Sequence, residues 1–390
     1  MQARQRMSLF LLSLALALAG AAPARAAHPE YRVTVVGPPG STANDINGDG
    51  TVVGWYTVDT TFTRAFLNRG QGVVSLGTLG GSNSSAAAIN DKGQVVGSWT
   101  TVGGQRRGFI YYHGKQRDIG TVVPGRNAEY TDINNAGYIT AIAVPGPDGG
   151  GAHAYLRAPD GSFLDIGNLP SDNPTTGASA LNNRNQVTGA SGRLVFPEQP
   201  LRAYLWTTGV MRELGNLGAT PNGGTAINDR GQVAGYAALP NAFRHQVAVL
   251  YNHGRAIPID HRPGADTRYS ESRGINNLGH VVGISDDLSG FVYRGRRMES
   301  LNALVDPRQG WDIRSAAAIN DAGQIAATAW RQGVQYAVRL DLIRPCLETA
   351  PALEADADDA ALLKQATPTP AEVRAEADAR SREVAVPVKQ

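Results

Sequence analysis

Asp45, Asn47 and Asp49 stand at alternate positions in Asp45-Ile46-Asn47-Gly48-Asp49-Gly50. Oxygen-bearing side chains at the first, third and fifth positions, with glycine at the sixth, open a calcium loop. The twelfth position would be Tyr56, where the full motif needs a bidentate Glu. Related segments elsewhere in the chain lack the acidic triplet. The stretch therefore reads first as an acidic turn, with Ca²⁺ as the alternative and no other cofactor expected.

Three carboxylates, Glu129, Glu271 and Asp312, could work as acid and base if the fold brought two of them together. The histidines His113, His153, His245, His253, His261 and His280 show no metal-ligand spacing, and His113 and His253 each precede a glycine. There is no nucleophile elbow and no phosphate loop. The single cysteine, Cys346, excludes an internal disulfide and a redox pair. Chemistry is weakly specified, so the elements that would position these residues matter more.

Those elements are repeats. The stretch Ala88-Ile89-Asn90-Asp91-Lys92-Gly93-Gln94-Val95-Val96-Gly97 has counterparts at Asn47, Asn134, Asn182, Asn228, Asn276 and Asn320, spaced 43 to 48 residues apart. Asn at the first position of a type I turn can bond the backbone two residues on. Three residues later come Gly50, Gly93, Gly137, Gly231, Gly279 and Gly323, with Asn185 in the fourth copy. Asn is the side chain that best tolerates positive φ, so the position demands a left-handed residue, as in a type I turn followed by a G1 bulge. Each copy is a tight β-hairpin. An aromatic third strand follows (Gly108–Tyr111, Arg202–Trp206), then a fourth associated with a Leu-Gly signature (Leu76-Gly77, Leu214-Gly215), weakening at Ile257–Ile259 and Leu301–Val305.

Four short strands per unit of this length suit a propeller blade. The seventh repeat lacks a fourth strand, while Tyr31–Val36 precedes the first hairpin as an orphan strand. Pairing that strand into the last blade removes two open edges. The chain is thus expected to be all-β, a seven-bladed β-propeller closed by its N-terminal strand; an open solenoid with capping ends is the alternative.

The combination of Arg64–Leu67, Leu76–Gly81 and Ala86–Gly97 resembles the bacterial extracellular HAF repeat, with His153-Ala154-Tyr155 nearest its His-Ala-Phe element. The likeness covers about residues 31–343. The third and seventh copies depart from it, with Ile139-Thr140-Ala141 and Ile325-Ala326-Ala327 in place of Val-Val-Gly. The resemblance implies export and a propeller-like repeat, and brings no reaction or ligand.

The ends fit that reading. Met1 to Ala26 has Arg4 and Arg6, an apolar run from Met7 to Ala19 and a small-residue close, the pattern of a signal peptide. Losing Arg4, Arg6 and Arg25 takes the formal charge from +2 to −1, which leaves no electrostatic case for nucleic acid or anionic lipid. No later stretch is long and apolar enough to span a membrane. We expect residues 27–344 to be the propeller and 345–390 a flexible acidic, Ala-rich tail. The product would be monomeric, exported to the periplasm or beyond.

In a propeller, the segments leading into the innermost strands crowd one mouth of the channel. If the hairpin strand rich in small residues is innermost, those segments include Arg126, Glu129, Tyr130, Arg268, Tyr269, Glu271, Trp311 and Asp312. Such a mouth suits a non-catalytic scaffold for a glycan, peptide or protein. The alternative is a secreted hydrolase or lyase with a carboxylate site in the channel.

Overall fold

The computed structural model describes residues 30–59, 61–145, 151–172, 174–193, 200–240, 245–260 and 269–343. The expected signal peptide, the expected tail and Arg268 lie outside the described residues.

Local chemistry makes the hairpins. In the second repeat, the strand Asn83–Ile89 turns into Val95–Thr100. Asn90 N donates to Gln94 O at 3.1 Å and Gly93 N to Asn90 O at 3.0 Å. Gly93 has φ 75° and its counterpart Asn185 has φ 58°, the left-handed conformation that the Gly/Asn exchange indicated. The type I turn with its bulge is therefore present as expected.

A second bulge was not visible in the sequence. Pairing shifts register between Ala43 and Asp45, Ala86 and Ala88, and Tyr130 and Asp132, and at the matching place in every other first strand. A Cβ at Gly97 would stand 2.1 Å from Ser85 O, so glycine allows close approach there, while blades 3 and 7 carry the same bulge with Ala141 and Ala327 at this place.

Seven four-stranded antiparallel sheets result. Blade 1 comprises Ser41–Ile46, Val52–Thr57, Thr63–Asn68 and Val73–Gly77. Blade 7 comprises Asp312–Ile319, Ile325–Arg331 and Val334–Leu342, completed by Tyr31–Val35 in register from Tyr31↔Leu342 to Val35↔Val338. First strands of successive blades touch around the whole circle, including Asp312–Ile319 against Ser41–Ile46. The chain is a closed seven-bladed propeller with its small-residue strands innermost.

The fourth strands need one correction. The Leu-Gly signature closes the strand in blades 1 and 2 (Val73–Gly77, Lys115–Gly120) but follows it in the next two: blade 3 uses Phe163–Asp165 before Ile166-Gly167, and blade 4 uses Val210–Glu213 before Leu214-Gly215. Gly77, Gly120 and Gly167 turn the chain out at positive φ, while Leu76, Ile166 and Leu214 enter the core. In blade 6 the strand is Arg297–Ser300, and Leu301–Leu304 is a helical turn capped by the Ser300 side chain.

The core lies between blades. Val53, Ala65 and Leu67 of blade 1 pack on Ala86, Ile89 and Val95 of blade 2, and the arrangement recurs around the ring. Each large side chain buried this way contributes about 1.5–3 kcal/mol.

The turn asparagines do more than make turns. Asn47 Nδ2 donates to Asn90 O, Asn90 to Asn134 O, Asn134 to Asn182 O, Asn182 to Asn228 O, Asn228 to Asn276 O, Asn276 to Asn320 O, and Asn320 back to Asn47 O, at 2.9–3.2 Å. All seven are buried. An uninterrupted circle of side-chain amides stitches every blade to the next. The residue after each Asn adds a second, incomplete circle: Asp91 accepts from Gly48 N, Asn135 from Asp91 N, Asn183 from Asn135 N, and so on to Asp321. It ends there because Gly48 has no side chain.

Candidate binding face

Each first strand runs toward its Asn turn, so one end of the propeller carries the seven tight turns. The opposite end carries the connections between blades and the links between second and third strands. This loop face is where the sequence placed its candidates.

The Ca²⁺ alternative does not fit the residues present. Asp45 Oδ1 accepts from Ile46 N and Oδ2 from Ile89 N, both at 2.8 Å. Asn47 Oδ1 accepts from Thr51 N at 2.9 Å. Asp45 and Asn47 thus spend their oxygens on backbone donors, while Asp49 is exposed. Among the described residues, no cluster of three or more His, Cys, Asp or Glu could hold a metal.

Asp45 is instead a brace between the inner strands of blades 1 and 2. Asp132 repeats it between blades 3 and 4, accepting from Ile133 N at 2.7 Å and Leu181 N at 2.8 Å. Burial pushes the Asp45 carboxyl up to about 8, with Asp132's charge adding to it, against the lowering effect of its two N–H donors. Burial pushes Asp132 up to about 7. A folded-state value above the unfolded one means that the native fold binds the extra proton. Stability from these groups is therefore complete below about pH 4 and declines as pH rises through 7 to 8. Asp45→Asn should flatten that decline; its amide offers one acceptor to the two N–H groups that Asp45 serves, so the expected change is in the pH dependence and not in the absolute stability. Chemical denaturation of both proteins at pH 5, 7 and 9 measures the difference, and parallel curves would refute it.

The candidates at the mouth separate into three kinds. Tyr130 is buried, 2 % exposed, and packs in the core between blades 2 and 3, so it presents no ring to a ligand. It is a core residue, contrary to expectation. The three carboxylates each take a nearby partner. Glu129 pairs with Arg106 of the adjacent blade. Glu271 accepts from the Tyr269 hydroxyl at 2.6 Å and lies 3.6 Å from Arg273. Asp312 accepts from Arg314 Nε at 2.7 Å. Burial and that bond to Glu271 push the Tyr269 phenol up to about 12. Arg126 is half-buried in the link before blade 3, near His153, whose value Asp165 at 3.4 Å holds above the ordinary one.

Trp311 and Asp312 belong to a larger assembly on blade 7. Trp311 meets Tyr336 edge-on at 5.9 Å, and Arg331 lies over Trp311 at 5.1 Å. Arg314 lies over Trp330 at 5.5 Å, and Trp330 pairs across the sheet with Asp312. Both arginines are exposed. Trp330, Tyr336 and Arg331 were missed as site residues. Counting back from the Asn320 turn without bulges sets Asp312 opposite Gln332; blade 7 carries two register shifts, and these bring Trp330 there.

No family model matches this chain, and no curated protein does. The fold is shared with solved structures. The β-propeller domain of the Trilobed protease from Pyrococcus furiosus, described as having an open velcro topology, aligns with TM-score 0.51 at 9 % identity, over 78 % of this chain and 99 % of that one. The acylaminoacyl peptidase of Pyrococcus horikoshii aligns with TM-score 0.50 at 8 % identity, over 77 % of this chain and 52 % of that one. The chain thus spans about half the length of that peptidase. At such identities the likeness is one of fold: this chain is a β-propeller.

Proposed function

We propose that the chain is an exported, non-catalytic propeller of the HAF-repeat kind that binds a peptide or protein segment through the loop face of blade 7. The observation carrying this reading is the tier of Trp311, Trp330 and Tyr336 capped by Arg314 and Arg331. Tryptophan, tyrosine and arginine dominate interface hot spots, because rigid rings lose little entropy while guanidinium edges bond to acceptors. The guanidiniums lie over the ring faces that a sugar would stack on, which favours a peptide carrying carboxylates over a neutral glycan. A carboxylate hydrolase in the channel would need two of Glu129, Glu271 and Asp312 to face each other, and each is engaged locally.

The test is an array of acidic, neutral and basic peptides probed with the full-length protein, with oligosaccharides alongside. Acidic peptides should be retained. Trp330→Ala and Arg331→Ala should each weaken that binding by about 30-fold, the loss of a 2 kcal/mol hot spot. Equal retention by wild type and both variants, or retention of oligosaccharides alone, would sink the reading.

A further inference from the structure

Outside the loop-face site, the cleft between blades 2 and 3 breaks the repeat at several positions at once. At the blade 3 position paired with Ile139 stands Arg157, where the other blades have Asn68, Tyr111, Trp206, Tyr251, Tyr293 and Leu340. Tyr130 replaces the alanine, serine or glycine found at that place in the other first strands (Ala43, Ala86, Ala178, Gly224, Ser272, Ala316). Arg157 lines an open cleft of about 480 Å³, and buried Tyr130 stands behind it, its hydroxyl 3.4 Å from the Gly120 carbonyl of the lining.

Three guanidiniums line the cleft, those of Arg107, Arg117 and Arg157, against two carboxylates, Asp118 and Asp160. Asp118 is committed: Arg107 grips it from Nε and Nη2 at 3.0 and 2.6 Å, and Trp99 Nε1 donates to it at 3.2 Å. Asp160 attracts Arg157 but also accepts from Ser162 N and Oγ. Arg117 is exposed and makes no hydrogen bond or ion pair among the described residues. Arg157 lies over the Phe163 ring at 5.8 Å, and its buried Nε has no hydrogen-bond partner. Arg117 and Arg157 repel each other across the opening. Packing alone does not account for a half-buried cation at a position where four other blades put an aromatic ring.

We propose that this cleft binds a tetrahedral oxyanion, sulfate or phosphate, held between Arg117 of blade 2 and Arg157 of blade 3. Two guanidiniums from separate blades address different oxygens of such a group, and its charge relieves their repulsion. The anion is either free in solution or an ester on a larger chain, and the experiment separates the two.

Isothermal titration of the full-length protein with sodium sulfate, sodium phosphate, dextran sulfate and plain dextran, at constant ionic strength, tests the site. Sulfate or phosphate should bind. Arg117→Gln and Arg157→Tyr should each weaken binding by at least about tenfold. Tyrosine already occupies the Arg157 position in blades 2, 5 and 6, so the second variant should fold. Arg212→Gln, the blade 4 counterpart of Arg117, should bind as wild type does. Binding of the free ions alone identifies a small-ion site, and tighter binding of dextran sulfate identifies an ester ligand. Affinity unchanged in both cleft variants, equal affinity for plain dextran, or no binding by any anion would overturn the proposal.

Discussion

Gly108→Ala should destabilise the propeller by about 3 kcal/mol or more, yet cost almost nothing in a Tyr130→Ala background. A Cβ on Gly108 would stand 2.1 Å from Tyr130 Cε2 and 2.3 Å from Cδ2, well inside van der Waals contact. The ring cannot move aside, because Tyr130 is enclosed between blades 2 and 3. Elsewhere the same pair of positions holds two small residues, as with Ala65 against Ala86 and Ala154 against Ala178. Here the pair is instead a glycine and a tyrosine, and the missing Cβ of the glycine makes room for the ring. Tyr130→Ala alone should cost about 3–5 kcal/mol through the cavity it leaves. The double variant should be no less stable than that single one. Urea denaturation of the four proteins closes the cycle, and an equal cost of Gly108→Ala in both backgrounds would disprove the steric account.

The second large effect is expected in the asparagine circle. Asn228 is 4 % exposed and uses both ends of its amide. Oδ1 accepts from Arg230 N and Gln232 N at 3.1 and 3.0 Å, while Nδ2 donates to Gln232 Oε1 at 2.9 Å and to Asn276 O at 3.0 Å. Asn228→Asp keeps the acceptor and the shape but removes both donations. It also sets a carboxylate against two oxygens that have lost their donor. Loss of such a buried network should cost about 3–5 kcal/mol. For a domain of this size the melting temperature should fall by roughly 5–8 °C. Lowering the pH to 5 should return part of the loss, since protonating the introduced carboxylate restores one donor. A variant melting within a degree of wild type at pH 7 would show that the circle is incidental to stability.

These residues show how far sequence reading goes here. The period, the Asn turn and the Gly/Asn exchange at the left-handed position are local properties of a few consecutive residues, and they survive translation into structure unchanged. The orphan Tyr31–Val35 strand likewise announced ring closure, because an unpaired edge at each end of the array has one economical partner. The bulge three residues before each turn is different. It arises from packing the inner strands at the axis, and nothing in Ala86-Ala87-Ala88 encodes it on its own. Once present, it shifts every pairing beyond it, and the further shift between Ile313 and Ser315 then sets Trp330 opposite Asp312, which is why the aromatic tier of blade 7 could not be counted out from the turn.

The same distinction governs the candidate sites. Sequence alone determined the repeat, its turn chemistry, the number of blades and the end of the ring where variable segments gather. Tertiary structure decided that Tyr130 is core, that Asp45 braces two strands, and that Arg117 and Arg157 share a cleft. The physical reason is distance along the chain. Turns are set by neighbouring residues, whereas a site on this propeller joins residues from different strands or different blades, and their meeting depends on strand register and on how adjacent sheets pack.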